Sequence, residues 1–290
     1  MGHRDARLLT VADVRALLRR HGLAPNRRLG QNFVVDHNTL RKLVADAGIQ
    51  PGDLVCEVGP GLGSLTLALR KAGARVVAVE IDAGLVRALS EVVGDDPDVT
   101  VVHADARSVD LAALVPRPAK VVANLPYSVA TAMALDLLAL EHFAYLHLMV
   151  QREVGVRWSA RMGDELFGAV SLKVEAYADA RVVAPVSRQA FYPVPRVDSV
   201  AVGLTPRPWR WRIDRAEVIA LIDQGFTQRR KRLRNALAPR VPVAAVDAAL
   251  AAIGRTSDTR AEQLDLATWC EFANALRECH IAGSEPSALA

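Results

Sequence analysis

Between residues 54 and 151 the chain alternates short, continuously apolar runs with stretches of helical periodicity, and few folds accommodate that rhythm. A strand whose apolar residues run without interruption is buried on both faces. Parallel strands joined by helical crossovers cover both. Strands are expected at Leu54–Val58, Arg75–Glu80, Val99–His103, Lys120–Asn124 and Tyr145–Gln151. Helices are expected between them at Leu62–Ala72, Ala83–Val93 and Ala130–Leu140, and a weaker helical pattern covers Gln151–Arg161. Ser171–Ala178 and Ser199–Thr205 read as two further strands, an antiparallel pair at a sheet edge, joined by a loop holding Phe191-Tyr192-Pro193-Val194-Pro195.

Residues 10–22 and Asp36–Ala47 are helical in pattern, with the polar stretch Asn26–Phe33 between them. Pro206-Arg207-Pro208 marks a domain boundary. Beyond it every pattern is helical: Ala216–Ala238, Val243–Ile253 closed by Gly254, and Leu266–Cys279 capped by Asp265. The expected organisation is an α/β domain over 1–206, an all-helical domain over 207–280 and a small polar, disordered tail over 281–290.

Composition narrows the partners. The net charge of +4 and a pI near 9.2 permit an anionic partner, and the clustering points further toward one. Gln228-Arg229-Arg230-Lys231-Arg232 with Arg234 is a dense basic run, and Arg15, Arg19, Arg20, Arg27 and Arg28 crowd the N-terminal region. Either run also reads as a solvated helix face. Three cysteines without Cys-x-x-Cys spacing exclude a disulfide framework and a zinc site, so no metal is expected. Without an apolar signal segment or a membrane-length run, a cytoplasmic protein is expected.

The first strand turns into its helix through Glu57-Val58-Gly59-Pro60-Gly61-Leu62-Gly63. Glycines there tolerate positive φ and let a ligand approach the backbone. A dinucleotide fingerprint places its third glycine three positions after the second, where this chain has Ser64. Glu57 would repel a phosphate and could instead accept hydrogen bonds from an ammonium group, directly or through water. The pattern therefore suits S-adenosylmethionine, which has an amino-acid tail and no phosphate. Glu80 closes the second strand, where a carboxylate can accept both ribose hydroxyls. Asp105 follows the third strand and reads either as an acceptor for the cofactor's adenine amine or as a helix cap.

Asn124 ends the fourth strand and opens Asn124-Leu125-Pro126-Tyr127. An adenine amine is a poor nucleophile because its lone pair is delocalised into the ring. The Asn124 amide oxygen and a backbone carbonyl at Leu125 can accept its two hydrogens and turn the lone pair toward a methyl donor. Tyr127 can stack on the extruded base.

These blocks resemble the KsgA family of rRNA adenine dimethyltransferases. The resemblance rests on Arg28-Leu29-Gly30-Gln31-Asn32-Phe33, Glu57 through Gly63, Asn124 through Tyr127, Phe191 through Ser199, and Gly225-Phe226-Thr227-Gln228-Arg229-Arg230-Lys231. It implies a class I methyltransferase (Rossmann-like) sheet, with cofactor contacts from Asn32, Val34, Gly59, Gly61, Glu80, Asp105 and Asn124. It also implies that the N-terminal segment, about residues 10–47, forms a lid and that Phe191 stacks on the target base opposite Tyr127. Arg229, Arg230, Lys231 and Arg234 would contact RNA phosphates. The implied reaction is dimethylation of two adjacent adenosines near the 3′ end of small-subunit (16S) rRNA during ribosome assembly, by a monomer. Two readings compete: a large-subunit (23S) adenine methyltransferase conferring macrolide resistance, and a non-catalytic RNA-binding assembly factor on the same scaffold. A NAD-dependent dehydrogenase is disfavoured by Ser64.

Overall fold

The computed structural model describes residues 7–25, 31–228 and 231–283. The chain divides into two compact units, and each is built from two stretches of sequence. One comprises the residues up to Gly155 together with Asp179–Pro206; the other comprises Val156–Ala178 and the residues from Arg207 onward. The stretch Val156–Ala178, expected in the α/β domain, thus belongs with the helical one.

In the first unit α1 (Val11–Arg20), β1 (Phe33–Val34) and α2 (His37–Asp46) precede the alternating region. That region runs β2 (Leu54–Val58), α3 (Ser64–Lys71), β3 (Arg75–Glu80), α4 (Ala83–Val93), β4 (Val99–His103), α5 (Leu111–Leu114), β5 (Lys120–Asn124), α6 (Ala130–Ala139) and β6 (Tyr145–Gln151). All five expected strands form with the bounds read from the sequence. The short α5 has no counterpart among the expected elements. Asp82 caps α4 by accepting from the Gly84 and Leu85 amides, at 2.7 and 3.1 Å.

After α7 (Arg152–Ser159) and α8 (Ala169–Glu175) come β7 (Ala178–Val186), β8 (Phe191–Tyr192) and β9 (Ser199–Pro206). The strand expected at Ser171–Ala178 is instead helix α8, and β7 begins where that strand was to end. Leu172, Val174 and Ala176 alternate like strand residues and are all buried. Leu172 and Ala176, four apart, nevertheless meet the apolar cluster of the second unit from one helical face.

The strand order β4-β3-β2-β5-β6-β9-β7 is parallel from β4 to β6, and β9 runs antiparallel to β6. The direction in which successive strands are added reverses between β2 and β5. In open parallel sheets a ligand crevice forms at the carboxyl ends of the strands flanking such a reversal. A separate two-stranded ribbon pairs β1 with β8, Phe33 opposite Tyr192 and Val34 opposite Phe191. The Arg15 guanidinium lies 4.9 Å from the centre of the Tyr192 ring, fastening α1 to the same ribbon.

In the second unit the expected helix Ala216–Ala238 is interrupted. It forms as α9 (Arg215–Phe226) and α10 (Leu233–Leu237), followed by α11 (Val243–Ala252) and α12 (Leu266–Gly283). The Thr227 hydroxyl folds back onto the Gln224 carbonyl at 2.7 Å, and Arg232 adopts extended backbone angles. Of the basic run, Gln228, Lys231 and Arg232 lie in this break and Arg234 lies in α10, while Arg229 and Arg230 are outside the described residues. Asp265 caps α12 through the Thr268 amide, as expected, and the helix continues to Gly283, past the expected start of the tail. Residues 284–290 lie outside the described residues.

Gly155 lets α7 lie close on β6 and β9: a Cβ there would sit 2.4 Å from Val200 Cγ2 and 2.7 Å from Val202 Cγ2. Gly155→Ala should therefore lower stability by about 1–3 kcal/mol through overpacking. Urea unfolding should show a lower midpoint at unchanged slope, and an unshifted midpoint would refute the close packing.

Candidate functional site

The carboxyl ends of β2 to β5 border a cavity of about 360 Å³. The cavity collects residues far apart in sequence: Gln31 to Val34, Glu57 to Gly61, Glu80, Asp105 and Asn124 to Val129. It lies at the sheet's switch point, as the topology requires.

Its floor is the glycine turn. Gly59, Gly61 and Gly63 all have positive φ, +69°, +60° and +89°. At Gly61 space matters as well, because a Cβ would lie 3.0 Å from the Phe33 ring. The turn is pinned by Glu80. One of its carboxylate oxygens accepts the Gly61 amide and the other the Asp82 amide, each at 3.0 Å.

Two buried carboxylates face one another across this floor. Glu57 is 1% exposed and Glu80 5%. Burial, opposed by a 2.6 Å hydrogen bond from the Thr66 hydroxyl and reinforced by the Glu80 charge, pushes the Glu57 carboxyl up to about 8. Burial also raises Glu80, against the pull of its backbone amide donors. A pair of this kind is short of a cation. Arg107 also lines the cavity, but its guanidinium is bonded to Asp136 at 2.6 Å. The acceptor set therefore suits an organic cation bearing hydroxyls better than a phosphate.

Asp105 caps no helix; it holds a turn at the cavity border. One carboxylate oxygen accepts the Arg107 amide at 2.9 Å. Asn124 points across to the N-terminal segment, its Nδ2 donating to the Asn32 carbonyl at 3.0 Å. A carbonyl can only accept, so this contact fixes which end of the amide is the nitrogen. It leaves Oδ1 as the acceptor. The Leu125 amide donates to the Met149 carbonyl at 3.1 Å, fixing the peptide that follows Asn124. Tyr127 is half-buried, and its hydroxyl is 2.9 Å from Ser199 Oγ.

Not every expected residue arrives. Phe191 is absent from the cavity wall. Its backbone pairs with Val34, its side chain is 2% exposed, and it packs in the apolar cluster with Phe33 and Val34. In this conformation it cannot stack opposite Tyr127. Arg229 and Arg230 lie outside the described residues, as do Asn26 through Gly30. Lys231 is exposed, whereas Arg234 is ion-paired with Asp247 at 3.1 Å rather than presented to solvent alone.

Thr66 and Ser199 hold Glu57 and Tyr127 in place and were not singled out as functional. Ser199 closes the Phe191–Ser199 block, so its position carried a signal. Thr66, nine residues from its partner, carried none.

Ligand-free Glu57→Gln tests the buried carboxylate. Between pH about 4.5 and about 8 the folded protein holds a proton on Glu57 that the unfolded chain has released, so its contribution to stability falls as pH rises through that window. Gln mimics the protonated form. The gain in Tm over wild type should therefore be near zero at pH 4.5 and grow toward pH 8; a gain that is constant or shrinks would overturn the assignment.

Comparison with known proteins gives a consistent family. The profile of the ribosomal RNA adenine dimethylase family matches residues 22–278. A protein named ribosomal RNA small subunit methyltransferase A from Leifsonia xyli subsp. xyli is 47% identical over 280 residues, covering 93% of this chain and 99% of the relative. Its namesake from Thermobifida fusca is 46% identical over 281 residues, with 93% and 96% covered. Among solved structures, a dimethyladenosine transferase from Plasmodium falciparum superposes with a TM-score of 0.73 at 22% identity, over 86% of this chain and 98% of that one. The 23S rRNA methyltransferase ErmE superposes with a TM-score of 0.65 at 26% identity, over 85% and 100%.

Proposed function

The chain belongs to the ribosomal RNA adenine dimethylase family, and from that premise we infer that it dimethylates two adjacent adenosines near the 3′ end of small-subunit rRNA, using S-adenosylmethionine. One observation carries the chemical reading: Asn124 Nδ2 is committed to the Asn32 carbonyl, which leaves Oδ1 as an acceptor at the cavity. The identity of 47% to a small-subunit enzyme, against 26% to the large-subunit enzyme, favours the small-subunit target. The assembly-factor alternative makes no use of a complete acceptor site at Asn124.

S-adenosylmethionine, when bound, supplies an electrophilic methyl on a sulfonium. Glu57, whose carboxylate form a nearby cation stabilises, attracts the amino-acid end. Glu80 accepts from the ribose hydroxyls with the lone pairs left by the Gly61 and Asp82 amides. Asp105 accepts from the cofactor's adenine amine. Gly59, Gly61, Asn32 and Val34 contribute backbone at the cavity wall.

For the target base, Asn124 Oδ1 and the Leu125 carbonyl accept the two amine hydrogens and orient the nitrogen lone pair. Tyr127 stacks beneath the ring, its hydroxyl anchored on Ser199. The amine becomes acidic as it is alkylated and releases its proton to water, so the site needs no strong general base. Phe191 can take the opposite face only if β1 and β8 part. The segment over residues 10–47 then acts as a lid whose closed position the Asn124–Asn32 bond marks.

The break between α9 and α10, with Arg229, Arg230 and Lys231, supplies phosphate contacts that give affinity and salt dependence; Arg234 joins them only by leaving Asp247. Ribosome assembly places the enzyme in the cytoplasm. Among the described residues no helix is long and apolar enough to cross a membrane.

Tritiated S-adenosylmethionine offered with unmethylated small and large subunits should label the small subunit at two neighbouring adenosines; label confined to the large subunit would reverse the assignment. Asn124→Ala should lower turnover roughly 10²–10³-fold, the scale of losing one placed acceptor or donor. Its cofactor Kd, measured by calorimetry, should stay within a few-fold. Full turnover in this variant would refute the lone-pair mechanism.

A further inference from the structure

The second unit displays an aromatic residue that none of the cofactor or catalytic contacts uses. Arg207-Pro208-Trp209-Arg210-Trp211-Arg212 opens this part of the chain with three arginines, two tryptophans and no carboxylate. Of the four tryptophans, Trp158 and Trp269 are fully buried and Trp209 is half-buried, whereas Trp211 is 37% exposed. Arg210 and Arg212 on either side of it are exposed too. Among the described residues no salt bridge engages either arginine.

The loop is held at both ends. Upstream, the Arg207 amide donates to the Tyr177 carbonyl at 2.9 Å, and its guanidinium donates to the Glu175 carbonyl at 2.6 Å. The Trp209 indole N–H donates to the Ile213 carbonyl at 2.7 Å, closing the loop on itself. Arg215 lies between two rings, 4.3 Å from the centre of Tyr177 and 5.4 Å from that of Trp209. Downstream, Ile213 is 1% exposed, and Asp214 caps α9 through the Ala216 amide at 2.6 Å. What remains between these anchors is Arg210-Trp211-Arg212.

A loop anchored on both sides loses little further entropy when its exposed indole binds a partner. The chemistry on offer is one flat π surface and two exposed cations, neighbours of it in the chain. An unpaired nucleotide presents the complement: a flat base between two phosphates. A duplex would hide that face, so the match is to single-stranded RNA.

We propose that Trp211 stacks on an unpaired base of the small-subunit rRNA, with Arg210 and Arg212 on the flanking phosphates, as a second RNA contact separate from the basic run after α9. The proposal rests on the small-subunit reading above. It names a place where the substrate particle is gripped and assigns no chemistry to it.

The test measures binding of the full-length enzyme to unmethylated small subunits across a salt series. Trp211→Ala should raise Kd roughly 5- to 100-fold, the range for losing one base–aromatic stack, without changing the salt slope. Trp211→Phe should recover most of the affinity. The double variant Arg210→Ala, Arg212→Ala should flatten the plot of log K against log salt by about 0.7 per lost phosphate contact. Cofactor Kd should be unaltered in all three, which shows that they are folded. Trp211→Ala binding like wild type would overturn the proposal. So would ultraviolet cross-linking of Trp211 to a ribosomal protein rather than to rRNA. Wild-type enzyme that fails to bind small subunits at all would instead overturn the functional reading beneath it.

Discussion

A carboxylate set into the dry edge of a parallel sheet must be satisfied by fixed donors, and Glu80 organises the site by meeting that demand. It takes the Gly61 amide from one loop and the Asp82 amide from the next, tying the ends of β2 and β3 together. The glycine turn can reach Glu80 only with positive φ at three positions, which the alternating glycines supply. With the turn so held, Glu57 is buried behind it without a cation of its own, and Asn124 stands on the neighbouring strand across the switch point. The affinity for a positively charged ligand and the placing of the amide acceptor are therefore consequences of one local geometry.

The same arrangement sorts partners by charge. Glu80 and Asp105 set carboxyl groups at the cavity wall, and Glu57 takes up charge only when a cation is beside it, a lining that does not suit the backbone of a nucleic acid. Exposed cations lie elsewhere in the sequence, at Lys231 and at Arg210 and Arg212. On the functional reading proposed above, the cavity takes the cationic cofactor and an uncharged base, and the phosphates of the substrate fall to cations outside it.

Much of this was legible in the chain itself. Strands β2 to β6 were readable because burial on both faces writes an unbroken apolar run, and the residues ending them were readable because a parallel sheet aligns its carboxyl ends. The failures have local causes. Leu172, Val174 and Ala176 alternate as in a strand, yet the first two lie in a seven-residue helix that Ala176 caps, because the four-residue spacing of Leu172 and Ala176 meets an apolar cluster. The two-residue strands β1 and β8 are too short to show any period, so the burial of Phe191 against Val34 was invisible. The break between α9 and α10 was hidden because the arginines and lysine there are good helix formers, and Thr227 decides against them through its own hydroxyl.

One packing detail constrains how such a site can be changed. The Phe33 ring rests where a side chain at residue 61 would begin, 3.0 Å from the ideal Cβ. The two positions are 28 residues apart in different motifs, yet they compete for one volume. A side chain at residue 61 would meet a strained positive φ and would also have to displace the Phe33 ring by a few tenths of an ångström. Residues 33 and 61 should therefore be treated as one coupled position, in natural variation or in redesign, with very few permitted states.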